Sequence, residues 1–185
     1  MNELDQGLLW SGHGCIQKRL TETTRINVWV DDFPHITTEG GKCHDHRFYF
    51  RSTVLRGIML LYEYDFRPAP FGESGDYRGW RRNTEKQFEK DSTFEDLGEY
   101  IMLTERTRRT VYTGQQYVYG GPGLYHIAKP FHGTVTLLTK VGLVPDYDPV
   151  IITKEPYQLE HALNVTPSQE ELAEVFDREM AKVNL

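Results

Sequence analysis

His44-Asp45-His46-Arg47-Phe48-Tyr49-Phe50-Arg51-Ser52-Thr53-Val54 is the stretch that decides the fold. Its aromatic and β-branched residues predict a strand. Alternate side chains of a strand share a face. His44, His46, Phe48 and Phe50 are therefore expected to look one way, and Cys43, Asp45 and Arg51 the other. Two imidazoles on one face supply half of a metal site, because imidazole nitrogen suits Zn, Fe, Cu and Ni.

Working outward, further short β-like runs follow the same style. They are Arg25–Val30, Gly57–Phe66, Tyr100–Tyr112, Gln116–Tyr119, Leu124–Ala128 and Thr134–Val141. Gly114, Gly120-Gly121-Pro122-Gly123 and Pro130 punctuate them, a rhythm that predicts an all-β sandwich or barrel. The glycine-rich turn leads within three residues to His126. A strand starting at His44 and another reaching His126 can face each other inside a small barrel, so that three imidazoles converge on one ion and leave open positions.

Two segments depart from this pattern. Pro68–Gly98 is polar and reads as an insertion between strands, either a lid or a solvated loop. At the C-terminus, Thr166 is the expected N-cap, with Pro167 at the first helical position and Gln169 completing a capping box. Leu172, Val175, Phe176, Met180 and Val183 then share one face at helical spacing. The organisation expected is a β-domain over residues 1–165 with its insertion at about 68–98, then a helix over 166–185.

These residues resemble the cupin superfamily, whose motifs read G-x5-H-x-H-x3,4-E-x6-G and G-x5-P-x-G-x2-H-x3-N. His44, His46 and Gly57 match the first motif; Gly123 and His126 match the second. Thr38 stands at the first glycine, Pro122 is one residue late, and Pro130 replaces the asparagine. Phe50 stands where the glutamate ligand is expected. That substitution is similar to the three-histidine branch, which includes the cysteine and cysteamine dioxygenases and also carries His-Asp-His. The resemblance spans roughly Cys15–Lys140.

The resemblance implies a cupin-type small β-barrel (a double-stranded β-helix or jelly roll) with a C-terminal helix. It implies Fe(II) held by His44, His46 and His126, with O2 and a small polar or anionic substrate bound beside one another. Phe50 in place of the glutamate would leave a position for substrate, and Arg19 would grip a substrate carboxylate in bidentate fashion. No tyrosine matches the catalytic one of those dioxygenases, since Gly142 occupies that stretch. Two alternatives stay open: a Zn, Mn or Ni isomerase or lyase, or a non-catalytic binding module in which Arg78–Arg82 holds an anionic ligand.

Neighbouring residues add candidates. His132 is a candidate proton donor or alternative ligand, and His35 can approach the same pocket. Among Tyr117, Tyr119 and Tyr125, one phenol is expected at the site, with Tyr125 taken as the catalytic candidate beside His126. Cys43 reads as a small core residue.

Composition narrows the classes further. With 185 residues, one domain with an appended helix is expected. The net charge of −6 is concentrated after Val141, and no basic field suggests a dedicated nucleic-acid binder. Cys15 and Cys43 can make at most one bridge, which favours a reducing compartment. MNELDQGLLWSGHG lacks the marks of a secretory signal and no run reaches membrane-spanning length, so a cytoplasmic protein is expected, with a homodimer left open. Dinucleotide, P-loop, nucleophile-elbow and C-x-x-C motifs do not occur.

Overall fold

The computed structural model describes residues 7–36, 43–70, 75–82, 94–154 and 165–183. They form two antiparallel sheets and one C-terminal helix. The first sheet runs, in order, β1 (Leu9–Trp10), β2 (Cys15–Arg19), β3 (Thr24–Trp29), β11 (Val135–Leu143), β5 (Phe48–Arg56) and β9 (Gln116–Gly120). The second runs β10 (Tyr125–Pro130), β4 (Cys43–His44), β12 (Val150–Thr153), β7 (Tyr77–Arg82), β8 (Phe94–Tyr112) and β6 (Ile58–Pro68). There β6 pairs back onto β10, and the sheet closes into a ring.

Period-two alternation sorts each strand into two faces. In the first sheet, Ile16, Val28 and Val135 pack with Leu172, Val175 and Phe176 of the helix α1 (Gln169–Met180). The other face of that sheet contributes Phe50, Val54, Tyr117 and Leu138, which meet Met59, Leu61 and Val111 of the ring. A third cluster, with Cys43, Ile101, Tyr125, Ile127 and Ile152, packs on the opposite face of the ring strands. The layers are thus helix, sheet, mixed core, ring.

Three sequence expectations need correction. His44–Val54 is not one strand. It breaks at Asp45–Arg47, leaving β4 in the ring and β5 in the first sheet. The helix begins later than expected. Ser168, not Thr166, is the N-cap: its hydroxyl accepts from the Glu171 backbone N–H at 3.2 Å, and Glu171 accepts from the Ser168 N–H at 2.8 Å. A carboxylate at the third helical position takes both the backbone bond and the positive end of the helix dipole, which a Gln169 box cannot match. Gln169 is used differently, bonding the Leu8 N–H and carbonyl at 3.0 and 2.9 Å.

The third correction concerns Pro68–Gly98. Residues 71–74 and 83–93 lie outside the described residues, but Tyr77–Arg82 is a ring strand between β12 and β8, and Phe94–Gly98 begins β8. Elsewhere the punctuation works as read. Gly57 turns β5 into β6 at φ +89°, where an added Cβ would lie 2.9 Å from the Thr134 Cα. Among the described residues no helix is long and apolar enough to cross a membrane.

Candidate metal centre

The site begins with register. β4 pairs with β10 so that His44 lies directly opposite His126, and on its other side His44 meets Ile151 of β12. The two imidazoles are therefore neighbours on adjacent strands of the ring, not opposed across a barrel. His46 comes to them by a different route, because the chain leaves the ring at Asp45.

Asp45 makes that corner. It is buried, and its carboxylate accepts from the Gly123 and Val150 backbone N–H groups, each at 2.8 Å, and from the Tyr147 hydroxyl. Burial pushes its pKa up while those three bonds pull it down. One side chain thus ties both histidine motifs together, with His44 and His46 on either side of it and the glycine turn before His126 held to it. Gly120 and Gly121 adopt φ +103° and +102°, and a Cβ on either would overlap Phe48 or Tyr49.

The result is three rings in contact. Centroids of His44 and His46 are 4.7 Å apart, those of His44 and His126 4.6 Å, and those of His46 and His126 5.0 Å. One nitrogen from each lies within 4.8 Å of the others, so the group could hold a metal ion. The donor set fits. Burial, followed by the charge of His44, holds His46 and His126 well below the ordinary imidazole pKa. Both remain neutral and keep the lone pair that coordination needs. Nδ1 of His126 is buried with no hydrogen-bond partner, an atom that desolvation would penalise without a ligand.

The first sheet supplies the facing wall. Phe48 and Phe50 lie 4.9 and 5.2 Å from His46, and Tyr119 meets the edge of His126 at 4.5 Å. Phe50 is 3% exposed. Phe48 and Phe50 thus share the site with His44 and His46, as expected, although a change of sheet brings them there rather than a continuous strand.

The other candidates are distributed as follows. Tyr125, next to His126 on β10, points to the other face of the ring, stacks on Phe66 at 4.9 Å and has a pKa pushed up to about 12, chiefly by burial. Tyr119 is the phenol whose ring reaches the triad, its hydroxyl donating to the Tyr125 carbonyl at 3.1 Å. His132 and His35 stand apart from the triad. They line a small cavity with Asp31 and His13, their rings 3.7 and 3.6 Å from the Asp31 carboxylate. Cys43 fills core space in the ring. Arg78 and Arg81 are engaged by Asp96 and Glu95 at 2.6 and 3.4 Å. Arg19 ends β2, opposite Arg25 in register.

Two residues at the site were missed by the sequence reading. His13 stacks on His44 at 4.9 Å with planes 19° apart. Its signal was Gly12-His13-Gly14, whose two glycines, at φ +72° and +88°, form a turn that aims the ring inward. The second is Arg25. It faces the triad from β3, and its charge helps depress His46. A polar residue alternating with Asn27 and Trp29 on the inward face was the available clue.

No family model matches the chain, and no curated protein matches it.

Proposed function

We propose that the chain is a cupin-like metalloenzyme in which His44, His46 and His126 hold a divalent ion, Fe(II) before Zn, Mn or Ni, and a small polar or anionic substrate is oxidised with O2. The observation that carries this reading is the contact of three imidazoles, of which His46 and His126 are held neutral by burial, against a wall of Phe48, Phe50 and Tyr119, with no carboxylate in the ligand group.

When bound, the metal supplies a Lewis-acidic centre that brings substrate and O2 together. The chain's residues do the rest. Three neutral donors leave the full positive charge of the ion for anionic partners. Asp45 keeps His44 and His46 in place through its bonds to Gly123, Val150 and Tyr147. Phe48 and Phe50 exclude water from the site, which strengthens electrostatic contacts within it. Tyr119 stays protonated at neutral pH, because burial raises its pKa.

Metal analysis and oxygen uptake test this together. After reconstitution with Fe(II), about one ion per chain is expected, as for a site of three converging protein ligands; His126→Ala should lose it while remaining folded. Phe50→Glu should keep the metal and suppress oxygen uptake, since a carboxylate would occupy the substrate position. A folded protein that takes up no metal overturns the reading. Metal uptake without oxygen consumption across small anionic substrates would favour the binding module.

A further inference from the structure

The inward face of the first sheet carries a group of cations that no carboxylate among the described residues balances. Arg19 and Arg25 are register partners on β2 and β3. On β11, Leu138 lies opposite Arg25, and Lys140, two residues along on the same face, pairs with Phe50. The Lys140 ammonium sits 4.9 Å above the Phe48 ring, which itself lies 4.9 Å from His46.

Several other arginines of this chain are paired. Arg56, Arg78, Arg81 and Arg106 each lie 2.6–3.4 Å from a carboxylate. Among the described residues Arg19, Arg25 and Lys140 have no such partner. Arg25 donates from Nη1 to Gln17 Oε1 at 3.1 Å, and its Nε is buried with no hydrogen-bond partner. Burial and the charge of Arg19 depress the Arg25 pKa; burial, then Arg25 and Arg19, depress that of Lys140. Crowding like charges where burial removes water costs stability unless a ligand repays it. Asn27, between Arg25 and Trp29 on this face, is 2% exposed, and its Oδ1 likewise has no partner.

We propose that Arg25 and Lys140, supported by Arg19, form a receptor for a small ligand carrying two negative charges, which binds between them and the three histidines. The Arg25 guanidinium presents a planar fork to one anionic group. Lys140 neutralises the second as a point charge. A monoanion would leave at least one of these cations uncompensated, so charge number, more than shape, is the selected property. Asn27 Oδ1 can also accept from a hydroxyl or amine on a ligand that carries one. This deepens the proposed function by naming the substrate class and rests on that reading only for where the ligand lies.

The test uses the full chain, metal-free and Zn(II)-loaded, with calorimetry and thermal melting. Malonate, succinate and inorganic phosphate serve as dianionic probes and acetate as the monoanion. Dianions are expected to bind at least about tenfold more tightly than acetate in both forms, a difference of about 1.4 kcal/mol. Malonate against phosphate separates a dicarboxylate ligand from a phosphorylated one. Arg25→Gln and Lys140→Gln should each remove that preference, and Arg81→Gln should leave it intact. Arg25→Met should raise the melting temperature of the ligand-free protein, because it removes an unbalanced charge. Equal binding of acetate and the dianions, or a lower melting temperature in Arg25→Met, overturns the proposal. If Arg25 variants do not fold, Lys140→Gln binding dianions like the wild type overturns it. Loss of metal binding with the dianion preference intact would sink the metal reading alone.

Discussion

The two faces of the first sheet handle charge in opposite ways. On the helix side the buried carboxylate of Glu179 is 1% exposed and is met by Arg56 at 3.0 Å, Arg178 at 2.9 Å and Lys182 at 2.7 Å. Around it lie Leu172, Val175 and Phe176, so that face is a satisfied core. On the histidine side Arg25 and Lys140 lack carboxylates among the described residues, and neutral imidazoles crowd together. One face is optimised for stability, while the other retains groups that a ligand would satisfy. Such local sacrifice is expected where a binding site is built into a fold.

The largest expected effect tests the stable face. Phe176→Ala removes a 4%-exposed ring from the helix contact and should cost about 3–5 kcal/mol in urea unfolding. The folded fraction should still take up metal, because no ligand lies on that side. Equal loss of metal affinity in the folded fraction would show that the two faces are coupled.

Glu179 gives the next effect and a sign that can be checked. Burial pushes its carboxyl up, but the bonds from Lys182, Arg178 and Arg56 outweigh it and hold the pKa down to about 2. A depressed carboxyl stabilises the fold fully above its unfolded value and loses that contribution as pH falls toward the folded value. Glu179→Gln should therefore be less stable than the wild type by about 1.5–3 kcal/mol at pH 7. The gap should close as pH falls from about 4.5 toward 2. A gap independent of pH would mean that Glu179 acts through shape, not charge.

Asp45→Asn probes the histidine face with a smaller change. It keeps the volume but loses the charge that draws Gly123, Val150 and Tyr147 to one corner. Metal affinity should fall about 10–100-fold with little change in the unfolding midpoint. A large stability loss with unchanged affinity would make this corner part of the core.

How much could be read beforehand varied with the kind of signal. Alternating apolar runs and glycine punctuation made most of the strands legible, because both act over a few residues. β1, β2, β7 and β12 were missed, β2 being five residues that end in polar Gln17, Lys18 and Arg19. β1 has only two residues and β12 four, while the six of β7, YRGWRR, are dominated by arginine and take their place by pairing with β12 and β8. The helix stripe was legible, but its start moved to Ser168 because two capping boxes overlap and only the backbone bonds choose between them.

The site divides along the same line. His44, His46 and His126 were legible as candidates along the chain, since their spacing and the Gly123 turn are local features. Phe50 was legible with them. Strand pairing and packing place His44 and His126 side by side in one ring, return His46 to them through a change of sheet, and turn His13 and Arg25 inward. Each depends on long-range pairing or on a carboxylate clamped from three directions, and neither leaves a periodic trace along the chain. Charge balance is decided at the same level. An arginine reads the same in sequence whether a carboxylate 3.0 Å away meets it, as at Arg56, or none among the described residues does, as at Arg25, and the difference arises only when packing removes the water that would otherwise solvate both.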